Sequence, residues 1–237
     1  MKIGFYGDSY CVGPALPGTY MDIIKNKLNA TIVHTGFGGS SIWDVFLKQF
    51  DRNNVPDINI FLWTHSIRLY HPVYRDLTAK RNISNEMNSK IIDALDYYYT
   101  YLHFDEKMQL ETNAVFYWFD HEILSKISKH KKVIHLWSIG ERENLPTDFN
   151  WLDTKWHQVE KIKYLYRWKT GVEIRPALFP LSLQGNTLEQ NSSYLANETR
   201  LNHLEEHKHI LLASWIENAL VNYSNGLLLD FSRDLKL

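Results

Sequence analysis

The stretch "KIGFYGDSYCVG", Lys2 to Gly13, decides the fold. An apolar run from Ile3 to Tyr6 reads as a buried strand, and Gly7-Asp8-Ser9 follows as the loop into which that strand delivers the chain. In an open α/β sheet, ligands collect beyond the carboxyl ends of the strands, so a Gly-Asp-Ser there is either a structural turn or a reactive site. Turn chemistry accounts for the tripeptide when it stands alone, and its meaning rests on what else reaches the same edge.

Working outward, "TYMDIIKNKLN" sets Met21, Ile24 and Leu28 on one helical face, completing a strand-helix step. "ATIVHTGFGGSS" is a second strand entering a glycine-rich loop. "SIWDVFLKQF" then places Ile42, Val45, Phe46 and Phe50 at helical spacing, and "INIFLWTHS" is a third strand. Residues 84 to 128 carry helical periodicity, "KKVIHLWSIG" returns as a fourth strand, "GVEIRPALFPL" is a fifth, and "HLEEHKHILLASWIENAL" reads as an amphipathic closing helix. Strands alternating with helices predict an α/β fold: a single-domain three-layer α/β/α sandwich over residues 1–237, with a flavodoxin-like parallel sheet of about five strands. Aromatic runs such as "DYYYTYLHF" and "FYWF" are expected to supply core and inter-helix contacts, with some left to line a cleft that stacks on sugar rings.

Composition narrows the function. At 237 residues and 44% hydrophobic content the chain can bury one sizeable core, and no repeat, low-complexity tract or linker divides it. The 26 basic and 27 acidic residues nearly cancel, so no global field argues for nucleic acid or an anionic membrane. The single cysteine, Cys11, excludes an internal disulfide and a cysteine-built zinc site, and its expected place is the core. Strand-like sequence from Lys2 leaves no room for an export signal, and no apolar run approaches a membrane span; the expectation is a protein cytoplasmic at synthesis. "GFGGSS" lacks the Lys-Ser/Thr of a phosphate-binding loop and the spacing of a dinucleotide fingerprint.

Three strand ends share one edge of such a sheet: Gly7-Asp8-Ser9, Gly36-Phe37-Gly38-Gly39 and Trp63-Thr64-His65-Ser66. A fourth signal is "LNHLEEHKH", where a loop can bring His203 over that edge. In this order and spacing the chain resembles the SGNH (GDSL-type) hydrolases, and "NHLEEHKHILLASWI" looks like the end of phage-encoded members. The resemblance implies Ser9 as nucleophile and His203 as its general base, since a serine hydroxyl attacks efficiently only when a neighbouring base takes its proton. It further implies Asp8 as structural support for the first loop. The backbone amides of Ser9 and Gly39, with the His65 side chain, would be oxyanion donors. No metal or organic cofactor is implied. The expected partner is a small-molecule or glycan ester, with a carbohydrate O-acyl group as the substrate.

Two positions depart from the family pattern. His65 stands where the family keeps an asparagine, and Arg200 where it keeps the aspartate three residues before the histidine. Glu198 and Asn202 are the nearest candidates for the acid or for orienting His203. Either a Ser-His pair works with a main-chain carbonyl, or the fold has lost turnover and binds a glycan or a protein partner. Asn202 also reads as a helix N-cap ahead of Glu205 and Glu206.

Overall fold

The computed structural model describes residues 1–64, 69–72, 89–102, 105–138, 166–175, 178, 202 and 204–233. Among these, six strands form one sheet: β1 (Lys2–Gly7), β2 (Thr31–His34), β3 (Ile58–Trp63), β4 (Lys132–Trp137), β5 (Val172–Arg175) and β6 (Leu227–Asp230). Their order is β2-β1-β3-β4-β5-β6. Every pairing is parallel.

Parallel strands need covered faces, and the two-residue alternation of side chains divides the apolar residues between two layers. Ile3, Phe5, Ile58, Ile60, Leu62, Ile134, Leu136, Val172 and Ile174 pack on one side with α1 (Tyr20–Lys27) and the long closing helix. Tyr6, Phe61, Trp63, Val133 and Trp137 pack on the other with α2 (Ile42–Asp44), its continuation, and Phe116 and Phe119. All six residues of β3 are buried because it lies between β1 and β4 with both faces covered. The result is the α/β/α sandwich expected from the sequence, with one strand more.

The extra strand, β6, follows the closing helix and forms an edge of the sheet. It spans only "LLLD", and its leucines are half-buried, so it gives little periodicity to read.

Helix ends follow their caps. Thr19 accepts from the Asp22 amide at 3.3 Å to start α1. Ser41 and Asp44 form a reciprocal capping box at α2, with Asp44 Oδ2 2.8 Å from the Ser41 amide. The helix then widens into a π-turn, Val45–Gln49, closed by the Phe50 amide donating to Val45 O at 2.9 Å. The helical region foreseen over residues 84 to 128 contains α3 (Ser89–Tyr97) with a π-turn Tyr98–Leu102, then α4 (Asp105–Trp118), a π-turn Phe119–Leu124 and α5 (Ser125–Ile127). Here the aromatic reading needs correction. Phe116 and Phe119 are buried, whereas Tyr97, Tyr101, Tyr117 and Trp118 are exposed, and neither α3 nor the π-turn after it buries any residue.

The closing helix, α6 (Glu206–Val221), begins after Glu205 as N-cap. Asn202 therefore does not cap it. Its backbone is left-handed, at φ 48°, and its side chain points to another task. Among the described residues no helix is long and apolar enough to cross a membrane.

Candidate active site

The chain leaves β1 toward β2 on one side and later returns to place β3 on the other. Such a reversal marks the switch point at which α/β sheets of this order bind ligands, beyond the carboxyl ends of β1 and β3. Ser9 lies just past the end of β1, half-buried, as the first residue of a short 3-10 turn, Ser9–Cys11.

The turn is held from beneath. Asp8, 1% exposed, caps it through Oδ1, which accepts from the Tyr10 amide at 3.2 Å and from Ser138 Oγ, beyond the end of β4, at 2.9 Å. Tyr20 of α1 donates its hydroxyl to Tyr10 O at 2.9 Å. Cys11 is fully buried, and burial, reinforced by the nearby Asp8 carboxylate, pushes its thiol well above the ordinary range. A buried neutral thiol is a poor nucleophile.

The loop after β2 is knitted to the Ser9 loop. Gly36 N donates to Cys11 O at 2.9 Å, and Phe37 N donates to Gly7 O at 3.1 Å. A side chain at Gly36 would sit 2.5 Å from Cys11 Sγ and 2.7 Å from Gly7 O, so glycine is required for this approach. Gly39 adopts φ 70°, and the turn closes with Ser40 N donating to Phe37 O at 3.2 Å.

Gln49 joins both loops from below. Its amide accepts from Gly7 N at 2.7 Å and donates to Gly7 O at 2.9 Å and to Ser40 Oγ at 3.0 Å. Sequence reading did not single it out. The available signal was a glutamine in step with Ile42, Val45 and Phe46, on the stripe of its helix that faces the core.

From the far end of the chain, Asn202 Nδ2 donates to Ser9 O at 3.3 Å and to Val12 O at 3.2 Å. Asn202 thus acts as a donor to the loop that carries Ser9. Of the other residues singled out from sequence, His65, Glu198, Arg200 and His203 lie outside the described residues. Thr64, just before His65, is buried at 1% exposure and its hydroxyl has no hydrogen-bond partner among the described residues. Of the remaining histidines near the closing helix, His209 is buried and accepts from the Tyr20 amide at 3.2 Å, while His207 is exposed. Among the described residues no cluster of histidine, cysteine or carboxylate side chains could hold a metal ion.

No protein-family model and no curated protein matches the chain. Two solved structures resemble it. An acetyl xylan esterase from the rumen bacterium Butyrivibrio proteoclasticus aligns over 93% of this chain and 64% of its own, at 13% identity and TM-score 0.38. A carbohydrate esterase family 2 enzyme with a carbohydrate-binding domain, from Corynascus thermopiles (Myceliophthora fergusii), aligns over 93% of this chain and 66% of its own, at 12% identity and TM-score 0.33. The chain therefore spans just under two thirds of either protein. At this identity and overlap neither likeness assigns it an activity.

Proposed function

We propose that the protein is a serine ester hydrolase of the SGNH type, acting on an O-acyl group, acetyl above all, carried by a carbohydrate or small alcohol. The observation that carries this reading is the pair of hydrogen bonds from Asn202 to the main-chain oxygens of Ser9 and Val12. They join the residue preceding His203 to the loop bearing Ser9, two positions separated by almost the whole sequence. A caged, half-buried serine beside a glycine turn, at the topological switch point, adds to it.

In this mechanism Ser9 Oγ attacks the acyl carbon while its proton passes to His203. The charge that develops on the carbonyl oxygen is met by the amides of Ser9 and Gly39, with His65 as a side-chain donor. Collapse of the tetrahedral species breaks the bond to the alcohol, which leaves with the proton held by His203. Water then repeats the attack, releasing the carboxylic acid and restoring Ser9. Glycine suits the oxyanion position because no side chain stands between its N–H and the substrate. Asp8 holds the loop and takes no part in the bond changes.

Hydrolysis of a short-chain aryl acetate is the test. The wild type turns over, and Ser9→Ala and His203→Ala each lower kcat by about a thousandfold or more. Equal background rates in all three would sink the catalytic reading. Arg200, standing where the family keeps its acid, favours a second reading in that event: a fold that retains glycan or protein binding without turnover.

A further inference from the structure

Gln49 ends the π-turn that follows α2 and is 4% exposed. Its amide has one workable orientation. Oε1 lies 2.7 Å from Gly7 N, and Nε2 lies 2.9 Å from Gly7 O and 3.0 Å from Ser40 Oγ. The reverse orientation would set N–H against N–H and oxygen against oxygen.

β2 pairs with β1 no farther than Gly4 with His34, and past that point Phe37 N donates to Gly7 O at 3.1 Å. The Gln49 amide adds an acceptor for Gly7 N and a second donor to Gly7 O. Its second N–H reaches Ser40, whose hydroxyl in turn donates to Phe37 O at 2.6 Å. Gly7 lies two residues before Ser9, and Ser40 follows Gly39. One buried side chain thus bridges the strand end that carries the proposed nucleophile and the turn that carries the proposed oxyanion amide. The π-turn belongs to this device, since a widened turn re-aims the residue at its end, and such turns recur at functional sites.

We propose that Gln49 is a positioning residue that fixes the spacing between Ser9 and the Gly39 amide; the proposal rests on the esterase reading of that site. Misplacing a reacting pair by about 1 Å costs on the order of a hundredfold in rate. Substrate binding does not require that spacing, so the loss falls on kcat.

The test is a double-mutant cycle of Gln49→Ala and Ser40→Ala, read by kcat and KM on an aryl acetate, with near-ultraviolet circular dichroism to verify folding. Gln49→Ala is expected to lower kcat about 10- to 100-fold with KM changed less than about threefold. Ser40→Ala cuts one arm of the bridge and the Ser40–Phe37 bond while leaving the Gly7 pair intact, and is expected to lower kcat severalfold. The double variant should lose less than the product of the two single losses, because both remove the Gln49–Ser40 link. Should Gln49→Ala fail to fold, Gln49→Met and Ser40→Ala carry the measurement. Folded variants with kcat within twofold of wild type, or losses that simply multiply, overturn the positioning role while leaving the esterase reading intact. A wild type without Ser9-dependent turnover overturns the esterase reading and the positioning role with it.

Discussion

At the residue scale, the site depends on positions where backbone shape and side-chain chemistry make separate demands. Asn202 meets both: its left-handed backbone turns the chain before α6, and its amide ties that chain to Ser9 and Val12. The two demands can be separated by mutation. Asn202→Ala loses the hydrogen bonds and replaces a residue that tolerates the left-handed region with one that does not, and is expected to cost about 2–3 kcal/mol in urea unfolding. Asn202→Gly loses the same bonds but fits the backbone, and is expected to cost about half as much. If the tie positions the chain next to His203, both variants lose about tenfold in kcat. Activity restored in the glycine variant would show that only the backbone bend matters. The sequence made part of this visible: Gly7 ends a strand and Ser9, Gly36 and Gly39 each follow one, so order alone brings them to one edge. It did not reveal the partner of Asn202, because a residue ahead of two glutamates and an apolar helix also fits an N-cap, and only the path of the chain separates the alternatives.

At the element scale, strands flanked by helices were legible wherever apolar residues alternate or recur over enough length. β1, β3 and β4 are long and central, and their boundaries follow the apolar runs. β6 is short and at the edge, so its sequence carries little signal. The π-turns were equally hidden, since a widened turn keeps roughly helical spacing while shifting which residue faces inward. Asp120, in the π-turn after α4, shows the consequence. It is fully buried and accepts from the amides of Lys169 at 2.7 Å and Thr170 at 3.0 Å and from the Tyr166 hydroxyl at 3.2 Å. This one side chain therefore anchors the segment that leads into β5. Neighbouring Asp120 also holds the Tyr166 hydroxyl in its protonated form, adding to the effect of burial. Asp120→Ala leaves these donors without their acceptor and is expected to lower unfolding free energy by about 3 kcal/mol or more, whereas Asp120→Asn keeps one acceptor and loses about half that. Denaturant unfolding measures both, and equal stability of Asp120→Ala and wild type would contradict the anchoring role.

At the scale of the whole molecule, one histidine links the sheet to the chain packed over it and is expected to contribute to the acid sensitivity of the fold. His135 of β4 is fully buried, accepts from Trp63 Nε1 at 3.0 Å, faces Thr170 O at 3.0 Å and stacks on Trp168 at 3.9 Å. Because Nδ1 accepts the hydrogen bond from Trp63, Nε2 must be the nitrogen that donates to Thr170, and only the neutral ring fits. Burial pulls its pKa from 6.5 down to about 3, with the Thr170 carbonyl opposing. Above pH 6.5 the ring is neutral in both folded and unfolded chains and adds no pH dependence. Between 6.5 and about 3 the unfolded chain takes up a proton that the folded one refuses, so stability falls with pH by up to about 1.4 kcal/mol per unit. Asp57 and Asp230, whose carboxyl pKa values lie below 3.8, lose their stabilising charge only at lower pH, which leaves the upper window to histidine. His34, lowered more mildly by burial, contributes its own part there. Urea unfolding of wild type and His135→Gln from pH 7 to 4.5 separates the contribution of His135 from that of His34. The variant starts less stable, because the Trp63 and Thr170 partners are imperfectly met, but its stability declines more slowly with acid and the two curves converge. Parallel curves over that range would remove His135 as the origin of the acid sensitivity.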